Sequence, residues 1–162
     1  MILLVPGAAQ AQESAAIQAI ATVVSGLQVI GLNNLNFGTV VPGIDKTVDK
    51  TDVGFAGEWQ INGSANAEIT LDFTIPTYLL TADSSAQMLI LFSGTDASFD
   101  DETGGGQTIP AGVLNPHGQG VENIGVGGRM YVWIGGTVQP TISQTGGDYA
   151  ADVTLTVAYT GN

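Results

Sequence analysis

Along most of its length the chain alternates apolar and polar positions with a period of two. This is the pattern of a strand with one face in a core and one in water. In Ala67–Ile75 the residues Ile69, Leu71, Phe73 and Ile75 fall on one face and Glu68, Thr70, Asp72 and Thr74 on the other, and Pro76 closes the run. Phe55, Gly57, Trp59 and Ile61 share a side, and the Asn62-Gly63 that follows is a turn signal. Further strands are predicted at Leu27–Leu32, weakly at Thr47-Val48, and at Leu35–Val41, where Leu35 and Phe37 share a face and Pro42-Gly43 ends the run. At the C-terminus Val153, Leu155, Val157 and Tyr159 alternate with Asp152, Thr154, Thr156 and Ala158. Met88–Phe92 is uninterrupted apolar, which fits a central strand buried on both faces or one facing a partner. Gly127–Val138 is a strand broken by Gly135-Gly136, the mark of a bulge or bend. Thr95–Val113 is acidic and Gly-rich and reads as loop. Eight or nine short strands with turn signals between them, and no long amphipathic helix, predict an all-β, antiparallel sandwich.

The N-terminal quarter has its own pattern. Ile17, Ala19, Ala21 and Val23 alternate with Gln18, Ile20, Thr22 and Val24, which favours a strand. A helix would instead place Ile17, Ile20, Ala21 and Val24 together. Ahead of it, Met1–Val5 is apolar and Ala9-Gln10-Ala11 has the form of a signal-peptidase site with the cut after Ala11. Residues 1–11 are therefore expected to be the tail of a secretory signal, and the protein to be secreted. An isolated extended segment gains nothing in water; it needs a sheet edge for its N–H and C=O groups and a groove for its side chains. It can close its own domain as a first strand, or fill the groove of a neighbouring subunit. The second choice is heterologous, does not close, and builds a filament.

Composition narrows the functions. The chain has 162 residues, of which 44% are hydrophobic, enough for a core. Only 3 residues are Lys or Arg (Lys46, Lys50 and Arg129) against 15 Asp and Glu, a net charge of −12. So few cations cannot neutralise a run of phosphates, which leaves no nucleic acid and no anionic membrane surface among the expected partners. No stretch reaches the roughly 18 to 20 apolar residues of a membrane span. There is 1 histidine and no cysteine, which excludes thiol nucleophiles, thiolate metal sites and disulfides. The chain reads as a Gly-rich β protein and not as an enzyme; no catalytic residue and no cofactor is expected.

The remaining chemical candidates are sparse. Asp96, Asp100, Asp101 and Glu102 offer hard oxygen ligands for Ca²⁺, but their spacing is not that of an EF-hand loop, and a solvated acidic loop is the expected reading. Asp45, Asp49 and Asp52, interleaved with Lys46 and Lys50, read as charge that discourages edge pairing. His117 lies in a Pro-His-Gly turn with no nucleophile elbow beside it. Gly125, Gly127 and Gly128 are followed by a strand rather than the helix a phosphate cradle needs. Trp59 and Trp133 are expected in the core, with sugar stacking as the alternative. Asn62-Gly63-Ser64 is an N-x-S sequon.

Leu35-Asn36-Phe37-Gly38-Thr39-Val40-Val41-Pro42-Gly43 resembles the L-x-F-G-x-[IV]-x-P-G signature of a bacterial secreted family of uncharacterised, pilin-like domains. Gly57–Gly63, Ala67–Pro76, Val126–Val132 and the pattern from Gly147 to Tyr159 are similar to further motifs of that family, over about residues 20 to 160. The resemblance implies an immunoglobulin-like sandwich with a missing or exchanged strand, completed by donor-strand complementation. It implies a head-to-tail homopolymer, an extracellular filament on the cell surface, and a periplasmic chaperone and outer-membrane usher as partners. Well-known pilins often carry a disulfide and this chain has none, so the assembly route stays open. The expected organisation is residues 1–11 as signal remnant, 12–26 as donor strand with Ile17, Ala19, Ala21 and Val23 inserted, and 27–162 as the sandwich. By analogy, Leu35, Phe37, Val153, Leu155, Val157 and Tyr159 are the expected walls of the acceptor groove. The alternative is a monomeric secreted binding module for a carbohydrate or surface ligand, using the Thr95–Val113 loop or an exposed Trp.

Overall fold

A computed structural model describes residues 26–161 together with Gln18, Ile20 and Val23. The expected strand over Ile17–Val24 therefore falls largely outside the described residues, as do Ile17, Ala19 and Ala21. The described part is all-β and antiparallel, consistent with a β-sandwich, and among the described residues there is no helix. Its strands are β1 Gln28–Asn33, β2 Lys46–Val48, β3 Gly57–Asn62, β4 Glu68–Thr74, β5 Tyr78–Leu80, β6 Gln87–Leu91, β7 Ala97–Asp100, β8 Gly112–Leu114, β9 Gly120–Asn123, β10 Arg129–Ile134, β11 Gly136–Gln139 and β12 Thr154–Tyr159. They form three sheets, in the orders β1-β3-β10-β7-β8, β2-β11-β6-β5 and β12-β4-β9.

One core joins the sheets. The first contributes Ile61, Phe99, Leu114, Met130, Val132 and Ile134, the second Val48, Met88, Ile90 and Val138, and the third Ile69, Leu71 and Leu155. These residues occupy alternate strand positions, so the period-two pattern in the sequence is the inward face in the fold. Trp59 of β3 meets Phe73 of β4 edge to face, with ring centroids 6.1 Å apart, and so bridges the first and third sheets.

The Gly pair in the long C-terminal strand is where the chain changes sheets. β10 pairs with β3 and β7, and β11 with β2 and β6. Between them Gly135 donates its N–H to Asp96 O at 2.8 Å. A Cβ on Gly135 would press on Val48 O and lie 2.7 Å from Lys50 N, so only glycine lets the chain cross there.

Three expectations need correction. Thr95–Val113 is not all loop: Ala97–Asp100 is a fully buried strand and Gly112–Leu114 its edge partner. Acidic and Gly-rich flanks hid a segment only four residues long. Met88–Phe92 does not give a strand buried on both faces; Met88 and Ile90 point inward while Leu91 is 44% exposed. Phe55 does not continue the Trp59 face, because β3 begins at Gly57 and Phe55 closes a turn by donating its N–H to Asp52 O.

Replacing Gly135 with Ala should lower stability by roughly 1–3 kcal/mol or more, as overpacking a rigid crossing does. Urea unfolding should show a lower midpoint with an unchanged slope. An unchanged midpoint would mean that the β10–β11 crossing has room to give.

Candidate functional site

A groove of about 690 Å³ lies beside the second sheet. Buried Met88 and Ile90 of β6 and Val138 of β11 form its floor, with half-buried Leu79 of β5 beside them. One wall is the chain leaving β1, Asn34–Val40 with Pro42; the other is Gln144–Ala151 with Val153, which leads into β12. A second cavity of about 340 Å³ continues it past Leu35 and Val153, along Gly31–Asn34, to Gly57, Trp59 and Ile134. Both cavities share Asn34, Leu35 and Val153, so they are two lobes of one groove.

The walls are held by few bonds. Leu35–Val41 belongs to none of the three sheets, although its sequence alternates like a strand. Asn36 N–H donates to Phe55 O at 2.8 Å, and Gly43 N–H to Thr141 O at 3.1 Å. Gly43 has φ +76°, a conformation that favours glycine, and faces Ile142 at van der Waals limits. The opposite wall is tied to β5 by a single bridge, Leu80 with Ala150, in which each N–H donates to the other carbonyl at 2.9 Å. Tyr149 is braced from both sides: its hydroxyl donates to Thr145 O and receives Gln144 Nε2, each at 2.7 Å.

Of the residues expected as groove walls, Leu35, Phe37 and Val153 line this cavity. Leu155, Val157 and Tyr159 do not. Leu155 is buried in the core, Val157 pairs with Leu71, and the Tyr159 hydroxyl accepts the Ser64 N–H at 2.8 Å. The floor residues Leu79, Met88, Ile90 and Val138 were not singled out, because they come from strands far apart in sequence and only the topology assembles them. Of the expected donor residues only Val23 is described, and it is 92% exposed, as is Ile20 at 89%.

The other candidates are occupied locally. Asp96 accepts the Ser93 N–H and hydroxyl at 2.7 and 2.6 Å. Asp100 is buried and accepts the N–H groups of Gly104 and Gly106 at 3.1 and 2.6 Å. Asp101 takes the Thr103 N–H and hydroxyl, and Glu102 the Gly127 N–H. The four carboxylates thus fold the loop rather than converge, and among the described residues no group of three or more His, Asp or Glu is placed to hold a metal ion. Trp133 is 3% exposed and stacks on Tyr131, with centroids 6.0 Å apart, so neither it nor Trp59 is a free stacking platform. Its indole N–H and the hydroxyl of Ser98, its cross-strand neighbour, have no protein partner among the described residues. His117 is exposed, with Nε2 2.7 Å from Phe92 O. Among the described residues no helix is long and apolar enough to cross a membrane.

Burial, aided by nearby Asp101, raises the Glu122 carboxyl above its ordinary value of 4.5. Asp49 is shifted the other way by the Thr51 hydroxyl and N–H. A carboxyl that protonates more readily when folded favours the fold below its ordinary value and loses that contribution as pH rises through the folded value. Glu122→Gln should therefore melt at a higher temperature than the parent at pH 7.5 and close to it at pH 3.5. Thermal melts at both pH values test this; a gap that does not widen with pH would remove the desolvated carboxylate from the account.

Comparison with protein-family models, with curated proteins and with solved structures finds no match to this chain.

Proposed function

We propose that the protein is the structural subunit of an extracellular, pilus-like filament assembled by donor-strand complementation. The segment 12–26 of one subunit fills the groove of the next. The observation that carries this reading is the match between that segment and the groove. The groove extends from the level of Ile134 to that of Pro140 along β10 and β11. At about 3.3 Å per residue this is roughly 20 Å, the length of Ile17–Val23 in extended form. Its walls, Asn34–Val40 and Gln144–Ala151, run outside the sheets as a strand-shaped gap would require. Its floor of Leu79, Met88, Ile90 and Val138 is apolar, as an inserted strand alternating Ile17, Ala19, Ala21 and Val23 on one face would require.

The resemblance to pilin-like domains leads to the same reading, and its L-x-F-G-x-[IV]-x-P-G stretch is the groove wall itself. An immunoglobulin-like sandwich lacking one strand, a periplasmic chaperone that holds the groove before polymerisation and an outer-membrane usher belong to this proposal. A monomeric ligand-binding module is the weaker reading. The groove volume is that of a small-molecule pocket, yet both tryptophans are engaged within the protein and offer no free stacking face.

Once inserted, the strand would be held mainly by slow release rather than by a large equilibrium free energy, since ordering it costs about 1–2 kcal/mol per residue. Polymers should therefore survive detergent at room temperature and fall apart on boiling. Negative-stain microscopy and paired unboiled and boiled gel lanes should show filaments and a ladder that collapses to one band. Ile17→Asp should abolish the ladder while the monomer stays folded by circular dichroism. A ladder of normal length from Ile17→Asp would overturn the reading.

A further inference from the structure

The described chain has two distinct ends, and their surfaces differ. β10 and β11 run through the molecule from Arg129 to Gln139, up to roughly 35 Å at 3.3 Å per residue. At the Arg129 end, Gln28, Asn62 and Arg129 lie side by side in register, and Gly63 N–H donates to Gly128 O at 3.0 Å. Leu27, the 63–67 turn and the 124–128 turn therefore gather there. At the Gln139 end, the bond from Gly43 N–H to Thr141 O brings the 41–44 turn beside Thr141 and Ile142.

At the Gln139 end, Pro42 and Pro140 line the groove. Three apolar side chains stand out around it: Val41 at 54%, Ile44 at 61% and Ile142 at 90% exposure. Lys46 lies beside them, its ammonium donating to Thr39 O at 3.0 Å. The Arg129 end carries an apolar tip, Val126 at 77% exposure, with Asp101, Glu102, Glu122 and Arg129 around the same turn. A lone exposed apolar residue needs no explanation, but apolar residues grouped at one end of a groove with a cation beside them mark an interaction surface.

We infer that these two ends are the two halves of a second subunit–subunit interface, in which the Val126 tip of one copy seats against Val41, Ile44 and Ile142 of another. The inference rests on the strand-exchange reading, and the length of the connecting chain decides the occupant. Only Val24, Ser25 and Gly26 separate Val23 from Leu27, which packs against the core at the Arg129 end. From Val23 to Leu27 the chain spans at most about 14 Å. A donor strand whose Val23 sits at the Gln139 end of the neighbour's groove must bring its own subunit's Arg129 end against it.

The absence of native cysteine makes the test clean. The double variant Val126→Cys/Ile142→Cys, in the full chain, would be polymerised and then oxidised or treated with a short bismaleimide. Gels would be run boiled, without reductant, beside unboiled lanes. The expected result is a ladder that persists through boiling in the double variant, with no species above dimer in either single variant. An unboiled ladder that collapses on boiling in the double variant would overturn this interface and leave strand exchange standing. The absence of any unboiled ladder in parent and variants alike would overturn strand exchange and this interface with it.

Discussion

The crossing of one continuous strand between two sheets is the constraint on which the rest of the structure depends. β10 and β11 are central strands, each paired on both sides, and Gly135 between them admits no side chain against Val48 and Lys50. Because β11 follows β10 after the single residue Gly135, the first and second sheets are joined within one core. The same strand sets the groove, with Ile134 at one end of it and Val138 and Pro140 at the other. Packing, molecular length and the position of the groove thus follow from a glycine that lets two backbones meet.

A groove of this kind is a liability in a secreted monomer. Its walls are irregular chain outside the three sheets, bent at Gly38 with φ +61°, and backbone groups there that no sheet pairs are open to an arriving segment. Some proteins blunt such edges with charge, but here the wall from Leu35 to Val41 carries none at all. Under the reading we propose, the liability is the function: the chain leaves the groove for a neighbour, and the neighbour's segment closes the fold. The low share of charged residues, 11%, fits an interface made of main chain and small apolar side chains rather than of ion pairs.

The sequence was legible where one face alone is buried. Ile69, Leu71 and Phe73 in β4, and Leu155 in β12, could be assigned from alternation because the opposite positions are Thr, Asp and Glu facing water. The Gly135-Gly136 bend could also be read, since nothing else explains two glycines inside an apolar run. β7 could not: its Ala97-Ser98-Phe99-Asp100 has no polar face, and Asp100 is buried by backbone N–H groups that sequence does not reveal. The groove was half legible. Leu35, Phe37 and Val153 came from alternation and analogy, whereas Leu79, Met88, Ile90 and Val138 meet only because β5, β6 and β11 are sheet neighbours. Leu155, Val157 and Tyr159 share a face with Val153 in the pattern, yet from Leu155 onward that face turns into the core and away from the groove.

The acidic residues show how composition and placement diverge. A net charge of −12 predicts mutual repulsion, and cluster spacing predicts a solvated loop or a cation site. The fold does something else with Asp96, Asp100, Asp101 and Glu102, using each as an acceptor that closes a turn. Asp100, Asp101 and Glu102 tie the 100–106 chain to itself and to the Gly127 turn, close to Arg129, while Asp96 lies at the β10–β11 crossing, where its carbonyl accepts the Gly135 N–H. Two of the three cations, Lys46 and Lys50, lie on the other side of the β10–β11 crossing or beside it. Asp45, Asp49 and Asp52 are interleaved with these two lysines, and Arg129 follows the Gly127 turn. Each end thus carries both signs, so charge alone does not order the subunits; under the reading we propose, that order comes from the inserted strand.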